Sequence, residues 1–362
     1  LLGLSTAAHP VVGTWFLIAV SMCELAQLIP VVRQWTEPQT ARHTSRAAVI
    51  RLLVMYGTAV VMSLPGIVPA LRVVLSSDLS RWDRALANRI QVFMRLPHHL
   101  DPSRFPPSAW IHSVILLSVT GYCSWRLCRR QTQPVLRRHL LFLAAALLIA
   151  AVGAVVGGHS GPVLDLPHWT WRAFLLKFYP FRLIDILMPV TAAITVTACL
   201  AEWLRDHLKE PHTRILSVSA AALAIVVLTL SFAFRQDTPA GYSARDYLAW
   251  QEACDWIRRE TPKASLFVTP RESAGFKWFA ERAEFVCWKD CPQDGAGILE
   301  WRQRLRDLGW MRPVQLQRSL KPSDLRWMEG YMNMTHLITR DHHVAGQQPI
   351  YENDVWRVYD AP

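Results

Sequence analysis

The stretch RLPHHLDPSRFP, Arg95 to Pro106, gathers two imidazoles, a carboxylate and two guanidinium groups into twelve residues. His98, His99 and Asp101 are the candidate catalytic groups, because imidazole changes charge near neutral pH and a neighbouring carboxylate can share acid and base work with it. Arg95 and Arg104 flank them and suit the oxygens of a lipid phosphate. A divalent metal on these groups stays open but is not indicated, since adjacent histidines point in different directions in most backbone states, and no metal site is assigned. The plainer alternative is a proline-braced loop whose polar groups face water and lipid headgroups.

A second constellation, KFYPFRLIDILMP, places Lys177, Arg182 and Asp185 at the mouth of an apolar segment. Arg182 and Asp185 are three residues apart, so on a helix they share a face, and a supporting ion pair is expected. Charges at membrane depth are costly and usually face a cavity or one another. The planar fork of Arg182, if free of Asp185, suits two oxygens of a lipid phosphate. The loop GGHSGPVLDLPHWTW adds His159, Asp165 and His168, which read as solvated single residues.

In the last third, TPRESAGFKWFAERAEFVCWKD carries Arg271, Glu272 and Ser273 at a strand-to-helix turn, with Ser273 as the expected helix cap. No Gly-rich phosphate loop and no GxSxG accompany it, which weakens nucleotide and hydrolase chemistry. Cys287 and Cys291 in CWKDC suit a local disulfide on an oxidising side. CxxxC alone lacks a second ligand pair for a metal.

These groups hang on two kinds of sequence. A bilayer span needs roughly 20 mostly apolar residues, and six segments qualify, near 11–32, 47–71, 109–127, 139–157, 183–203 and 215–234. The second contains LPGIVPAL, where Pro65 and Pro69 each remove a backbone donor, so a kink or re-entrant break is expected there. DLSRWDRALANRIQVFMRL sets Leu79, Trp82, Leu86, Ile90 and Phe93 at helical spacing and predicts an amphipathic helix on the membrane surface. After Phe234 the pattern changes to that of a water-soluble domain. It predicts helix 247–260, strand LFVT, a short helix near Phe276, strand EFVCW, helix 298–308, strand HLIT and a closing hairpin of YEN and VYD.

The expected architecture is therefore an α-helical transmembrane bundle of about six spans in residues 1–235, followed by a small α/β domain in 236–362. The first 235 residues hold 22 of the 39 Lys and Arg and 10 of the 28 Asp and Glu, which leaves 17 and 18 for the remainder. The basic surplus thus belongs to the apolar part and contacts membrane lipid; nucleic acid is not an expected partner. Three links, 33–46, 126–138 and 205–214, hold three, five and three Lys or Arg on one side of a six-span path. That side is expected to be cytoplasmic, which puts HHLDP, FYPFR and the C-terminal domain on the other face. The opening LLGLSTAAHPVVGTWFL has no basic n-region or cleavage site of signal-peptide type and is read as the continuation of a longer protein.

AHPVVGTW, LPGIVPAL, RLPHHLDPSRFP, FYPFRLIDILMP and CDWIRRETPKASLFVTPRESAGFKWFAERAEFVCWKDCP resemble a family of uncharacterised bacterial multi-pass membrane proteins, typical of planctomycetes, with a C-terminal domain of unknown function. More distantly, the spans and the tail ending in a YEN and VYD hairpin resemble membrane glycosyltransferases of the GT-C type. That resemblance implies sugar transfer from a polyprenyl-phosphate donor at the outer face of the bacterial inner membrane, with the tail periplasmic. It also implies a catalytic acid in a first exoplasmic loop, which would precede Leu1, so no catalytic residue carries over. On this basis Arg95, Arg104 and Arg182 are expected to bind phosphate, and His98, His99 or Asp101 to assist acid and base work. The alternatives are a non-catalytic module whose soluble domain binds a partner or envelope polymer, and a transporter.

Overall fold

The computed structural model describes residues 2–36, 46–75, 78–130, 134–207, 242–270, 273, 275–309, 320–340 and 343–361, with positions 219, 238 and 239. Its contacts divide the chain into two compact units, Leu1–Ala222 and Leu223–Pro362.

In the first unit, α1 (Leu2–Ala8) and α2 (Pro10–Ala26) lead into α3 (Pro30–Thr36) and α4 (Arg46–Leu75). His9 caps α2 with its ring accepting from the Val12 amide, and Pro10 occupies the first turn, where its missing donor costs nothing. α1 lies against α4 at two glycines. A Cβ on Gly3 would come within 2.5 Å of the Ala59 carbonyl oxygen, and one on Gly66 within 2.5 Å of the Ala7 carbonyl oxygen. Close backbone approach at small residues is the usual way helices pack in lipid.

Two span expectations change here. The re-entrant break expected at Pro65 and Pro69 does not form: α4 runs through both as one helix, packed closely on α1. The break falls instead in the first segment, where α2 and α3 meet at 106°. Leu28 and Ile29 donate to Leu25 and Ala26, three residues back, and tighten the chain just before Pro30, which has no donor to continue the helix.

After α5 (Arg81–Arg89) come a π-helical turn (Ile90–Arg95), the short α6 (Pro97–Leu100) and a 3₁₀ turn (Pro102–Arg104). α7 (Pro107–Arg130), α8 (Pro134–Gly157), α9 (Trp169–Leu176) and α10 (Arg182–His207) complete the described part of the unit. Among the described residues, three helical stretches are long and apolar enough to cross a membrane: Leu52–Val73, Pro134–Gly157 and Arg182–Leu204; the bent pair of α2 and α3 makes a fourth if it is one span. Six spans are therefore not supported. α7 has the length, but Ser108, His112, Ser113, Ser118, Thr120, Ser124 and Arg126 dilute its apolar content. The expected span at 215–234 lies outside the described residues, apart from position 219.

The amphipathic helix forms as α5, capped by the Ser80 hydroxyl accepting from the Asp83 amide. It buries Ala87 and Asn88 and leaves Trp82 exposed, edge-on to Trp169 at 5.8 Å.

The second unit is a mixed sheet with helices. α11 (Ala244–Glu260) starts with a capping box in which Ser243 and Asp246 satisfy each other's backbone donors. β1 (Leu266–Val268), α12 (Phe276–Phe279), β2 (Ala283–Glu284), α13 (Gly295–Asp307), α14 (Pro322–Met332), β3 (His336–Thr339), β4 (Tyr351–Glu352) and β5 (Arg357–Asp360) follow. The strand order among the described residues is β2-β1-β3-β5-β4, parallel across β2, β1 and β3 and antiparallel across β3, β5 and β4. Trp250 and Ile257 of α11 and Phe267, Ile338, Trp356 and Val358 from the sheet side form one buried cluster, each large apolar side chain contributing roughly 1.5–3 kcal/mol.

HLIT and the closing hairpin form as expected. EFVCW pairs with β1 only at its start, through Glu284 and the Phe285 amide, which donates to the Phe267 carbonyl at 2.8 Å, and α14 falls on a stretch for which no element was expected. Ser273 does not cap α12: Gly275, at φ 66°, holds that position, and the Ser273 hydroxyl donates to Glu284. Cys287 and Cys291 are not joined in a disulfide.

Candidate functional site

The site in the first unit is assembled from two irregular segments, the loop after the π-helical turn and the FYPF turn between α9 and α10. Both rest on α8. A Cβ on Gly153 would come within 2.6 Å of Pro180 Cγ, and a Cβ on Gly157, one turn later, within 2.5 Å of Pro102 Cδ. The two glycines thus seat one proline from each segment on the same helix face.

The segments also touch each other. Phe105 meets Phe181 edge to face at 5.1 Å, and Leu100 and Phe181 share a buried cluster with Val92 and Leu176. The FYPF turn is pinned from outside as the Trp15 indole donates to the Phe178 carbonyl at 2.5 Å. Tyr179 adopts φ 54°, a left-handed conformation uncommon outside glycine, and hands the chain to α10, where the Arg182 amide donates to the Tyr179 carbonyl at 3.0 Å.

This framework splits the expected site residues into two groups. Asp101 is buried, at 2% exposure, and its carboxylate points inward. Oδ1 accepts from the Ser103 amide at 3.0 Å and Oδ2 lies 3.2 Å from His159 Nε2. The other ring nitrogen of His159 lies 2.8 Å from the Gly161 carbonyl oxygen. Both neighbours offer acceptor oxygens, so a proton on either ring nitrogen finds a partner. The Ser103 hydroxyl completes the knot by accepting from the His159 amide at 2.8 Å. With its donors and acceptors engaged, this is a structural anchor between two loops. His159, which the sequence presents as a solitary loop residue, is its centre.

The second group faces outward. His98 and His99 are exposed neighbours with ring centroids 4.2 Å apart. Partial burial, the His98 ring and Arg182 hold the His99 pKa below the ordinary imidazole value, while Asp185 pulls the other way. Although the side chain reaches the surface, its inner edge is desolvated, and the net direction favours the neutral ring. Burial raises the Tyr179 pKa, and Arg95 and Arg182 oppose that rise. Arg95, His99, Tyr179, Arg182 and Asp185 therefore interact electrostatically around the start of α10. No Arg182–Asp185 contact within 4.0 Å is found among the described residues; the two charges act on each other at longer range, and both act on His99. Arg104 is exposed and joins neither group among the described residues.

Lys177 is set back from this mouth. Its ammonium donates to the buried Asn88 side-chain oxygen at 3.2 Å and lies over Phe174 and Phe178 at 5.1 and 5.3 Å. Burial, then Arg84, lowers its pKa. It ties α9 to α5. Arg89 lies 5.9 Å over the Trp169 ring and Trp171 is exposed, so an aromatic and basic rim surrounds these segments, as at a headgroup level.

Chemically, the exposed guanidinium of Arg182 and the imidazole of His99 stand at the start of an apolar helix, with the half-buried Arg95 and Tyr179 behind them. That set can hold a phosphate diester or monoester and accept a proton next to it.

No curated protein matches the chain. Residues 248–308, within the second unit, match the profile of the family described as Domain of unknown function (DUF6798), and over those residues the chain is similar to that domain.

Proposed function

We propose that this multi-pass membrane protein binds a lipid-linked phosphate at the mouth of α10 and uses it as the donor in glycosyl transfer at the outer face of a bacterial inner membrane. The observation that supports the proposal most is that the charge of Arg182 acts on both His99 and Tyr179, and that of Arg95 on Tyr179, where an apolar, membrane-length helix begins. Arg182, which is exposed, holds the phosphate at the depth where a lipid headgroup lies, and the positive charge of Arg95 adds to the field there. His99, neutral near pH 7, takes the proton of the acceptor hydroxyl, with His98 beside it. The sequence resemblance to multi-pass families and to GT-C enzymes supports the same donor class and a periplasmic C-terminal domain. Asp101 has no part in the chemistry, because its carboxylate is consumed by His159.

The test is transfer from a labelled polyprenyl-phosphate sugar by the purified full chain. Arg182→Ala should lower turnover and donor retention by about 10-fold or more, while Arg104→Ala should leave both within about 2-fold. Equal turnover by wild type and Arg182→Ala sinks the proposal.

A second function, as a membrane-anchored module that binds an envelope polymer, is favoured by aromatic exposure on the second unit. Trp278 is 83% exposed, and Trp327 and Tyr331 stack at 5.2 Å on the surface of α14. Polymer binding by wild type that Trp278→Ala and Tyr331→Ala abolish, without any sugar transfer, selects this function over the first.

A further inference from the structure

The second unit contains a cluster that plays no part in either function above. β2 ends at Glu284, and the chain after it is held by two side chains of α13. The Trp301 indole donates to the Cys287 carbonyl at 2.8 Å, and Arg304 donates to the Phe285 carbonyl at 2.9 Å. Held this way, the loop returns a thiol and a second carboxylate to the end of the strand. One ligand atom from each of Glu284, Cys287 and Asp290 lies within 4.8 Å of the other two.

Three features set this cluster apart from a chance gathering of surface acids. Glu284 and Cys287 are nine-tenths buried or more, at 8% and 3% exposure. Glu284 is oriented: the hydroxyls of Thr269 and Ser273 both donate to Oε1, while Oε2 accepts no hydrogen bond among the described residues. Finally, two carboxylates and a thiol converge beside Lys277, whose ammonium lies 2.8 Å from Asp290. Burial raises the pKa of both Glu284 and Cys287, so a divalent cation here would take the place of the protons that these two groups otherwise keep.

We propose that Glu284, Cys287 and Asp290 form a divalent-metal site suited to zinc. A thiolate with two carboxylates fits a borderline-soft ion, whereas magnesium and calcium select oxygen alone. Zinc bonds of about 2.0–2.3 Å in a tetrahedron put ligand atoms roughly 3.5 Å apart. The present spread closes to that by rotation of Asp290, whose side chain is half exposed and lies on the route of entry. Thr269 and Ser273 are the outer partners that orient Glu284. Three protein ligands leave a fourth position for water or a substrate oxygen, the arrangement of a reactive zinc site. The CxxxC spacing misses this site, because two of its ligands are carboxylates and Cys291 is not one of them.

The experiment uses the full chain in detergent, stripped with a chelator and titrated with cobalt(II) and then zinc(II). About one equivalent of cobalt should bind with a thiolate-to-metal charge-transfer absorption that zinc abolishes. Cys287→Ser should lose that absorption, Asp290→Asn should weaken zinc binding about 10-fold or more, and Cys291→Ser and the His98→Ala/His99→Ala pair should change neither. Cobalt binding without a thiolate band, or zinc binding unaltered by Asp290→Asn, overturns the proposal. Should Cys287→Ser fail to fold, the wild-type cobalt spectrum and Asp290→Asn, a change at an exposed side chain, decide it alone.

Discussion

Asp101 Oδ2 lies 3.2 Å from His159 Nε2, a contact between residues 58 positions apart that are 2% and 7% exposed. It removes the carboxylate from the set of groups available for chemistry and makes it a clasp between the HHLDP loop and the loop after α8. Breaking one side strands a buried polar partner, so Asp101→Asn and His159→Ala should each lower stability by about 3 kcal/mol. Thermal unfolding of the full chain in detergent measures this. Sugar transfer by the folded fraction should stay at the wild-type level, in contrast to His99→Ala, which should slow transfer about 100-fold without a stability change. A per-molecule loss of transfer in Asp101→Asn at unchanged stability would return Asp101 to the chemistry.

Gly157 carries the same clasp from beneath. An added Cβ would meet Pro102 Cδ at 2.5 Å and Cγ at 2.7 Å, next to Asp101. The proline ring is braced by the 3₁₀ turn and cannot rotate aside. Gly157→Ala should cost about 1–3 kcal/mol by overpacking, while Gly121→Ala, where nothing lies within 4 Å, should be neutral or slightly stabilising. Comparing the two unfolding temperatures checks this.

Arg282 is buried, and its donors all go to backbone carbonyls and a hydroxyl. It reaches the Arg258 and Thr261 carbonyls at 2.6 Å each, Ala280 and Glu281 at 3.3 and 3.1 Å, and the Thr261 hydroxyl at 3.1 Å. The guanidinium therefore closes the C-terminal end of α11, where unpaired carbonyls and the helix dipole favour a cation. Arg282→Ala should destabilise the second unit by about 3 kcal/mol, and Arg282→Lys should restore only part of that, because an ammonium cannot fork between carbonyls on two segments. Unfolding followed by near-UV dichroism provides the measurement.

His336 sits in the central strand, stacked on Phe267 at 4.6 Å with Nε2 3.0 Å from Asp360. Burial holds its pKa below the usual 6.5; Asp360 pulls upward and Arg282 downward. Asp360 is largely exposed, so water screens its attraction and burial prevails. Unfolded chains then take up a proton near pH 6.5 that folded ones refuse until a lower pH. Stability is full above that range and declines as pH falls from about 6.5 towards the folded value. Unfolding midpoints between about pH 7.5 and about pH 5.5 should show the decline, and His336→Gln should flatten the His336 share of it.

The local elements were legible in the residues. A run of apolar side chains, a Ser before Asp at capping distance, and the period of HLIT act within one turn or one strand, so Ser80, Ser243 and the closing hairpin do what their neighbours require. The clustering of His98, His99, Arg95 and Arg182 was also within reach, because two short segments carry all four. What periodicity cannot supply is the group across the gap. Asp101 finds His159 only because Gly157 lets Pro102 settle on α8, and Glu284 meets Cys287 and Asp290 only because α13 pins the loop between them. The position of the bend is likewise a matter of packing: Pro65 and Pro69 stay helical where α1 lies close, and Pro30 does not. Sequence by itself determined that this chain has an apolar helical part, a soluble α/β part and a dense set of polar groups between apolar segments. The tertiary structure alone decided which of those groups are used up holding loops together, because that depends on contacts between residues far apart in the chain, whose formation is a property of the whole packed unit.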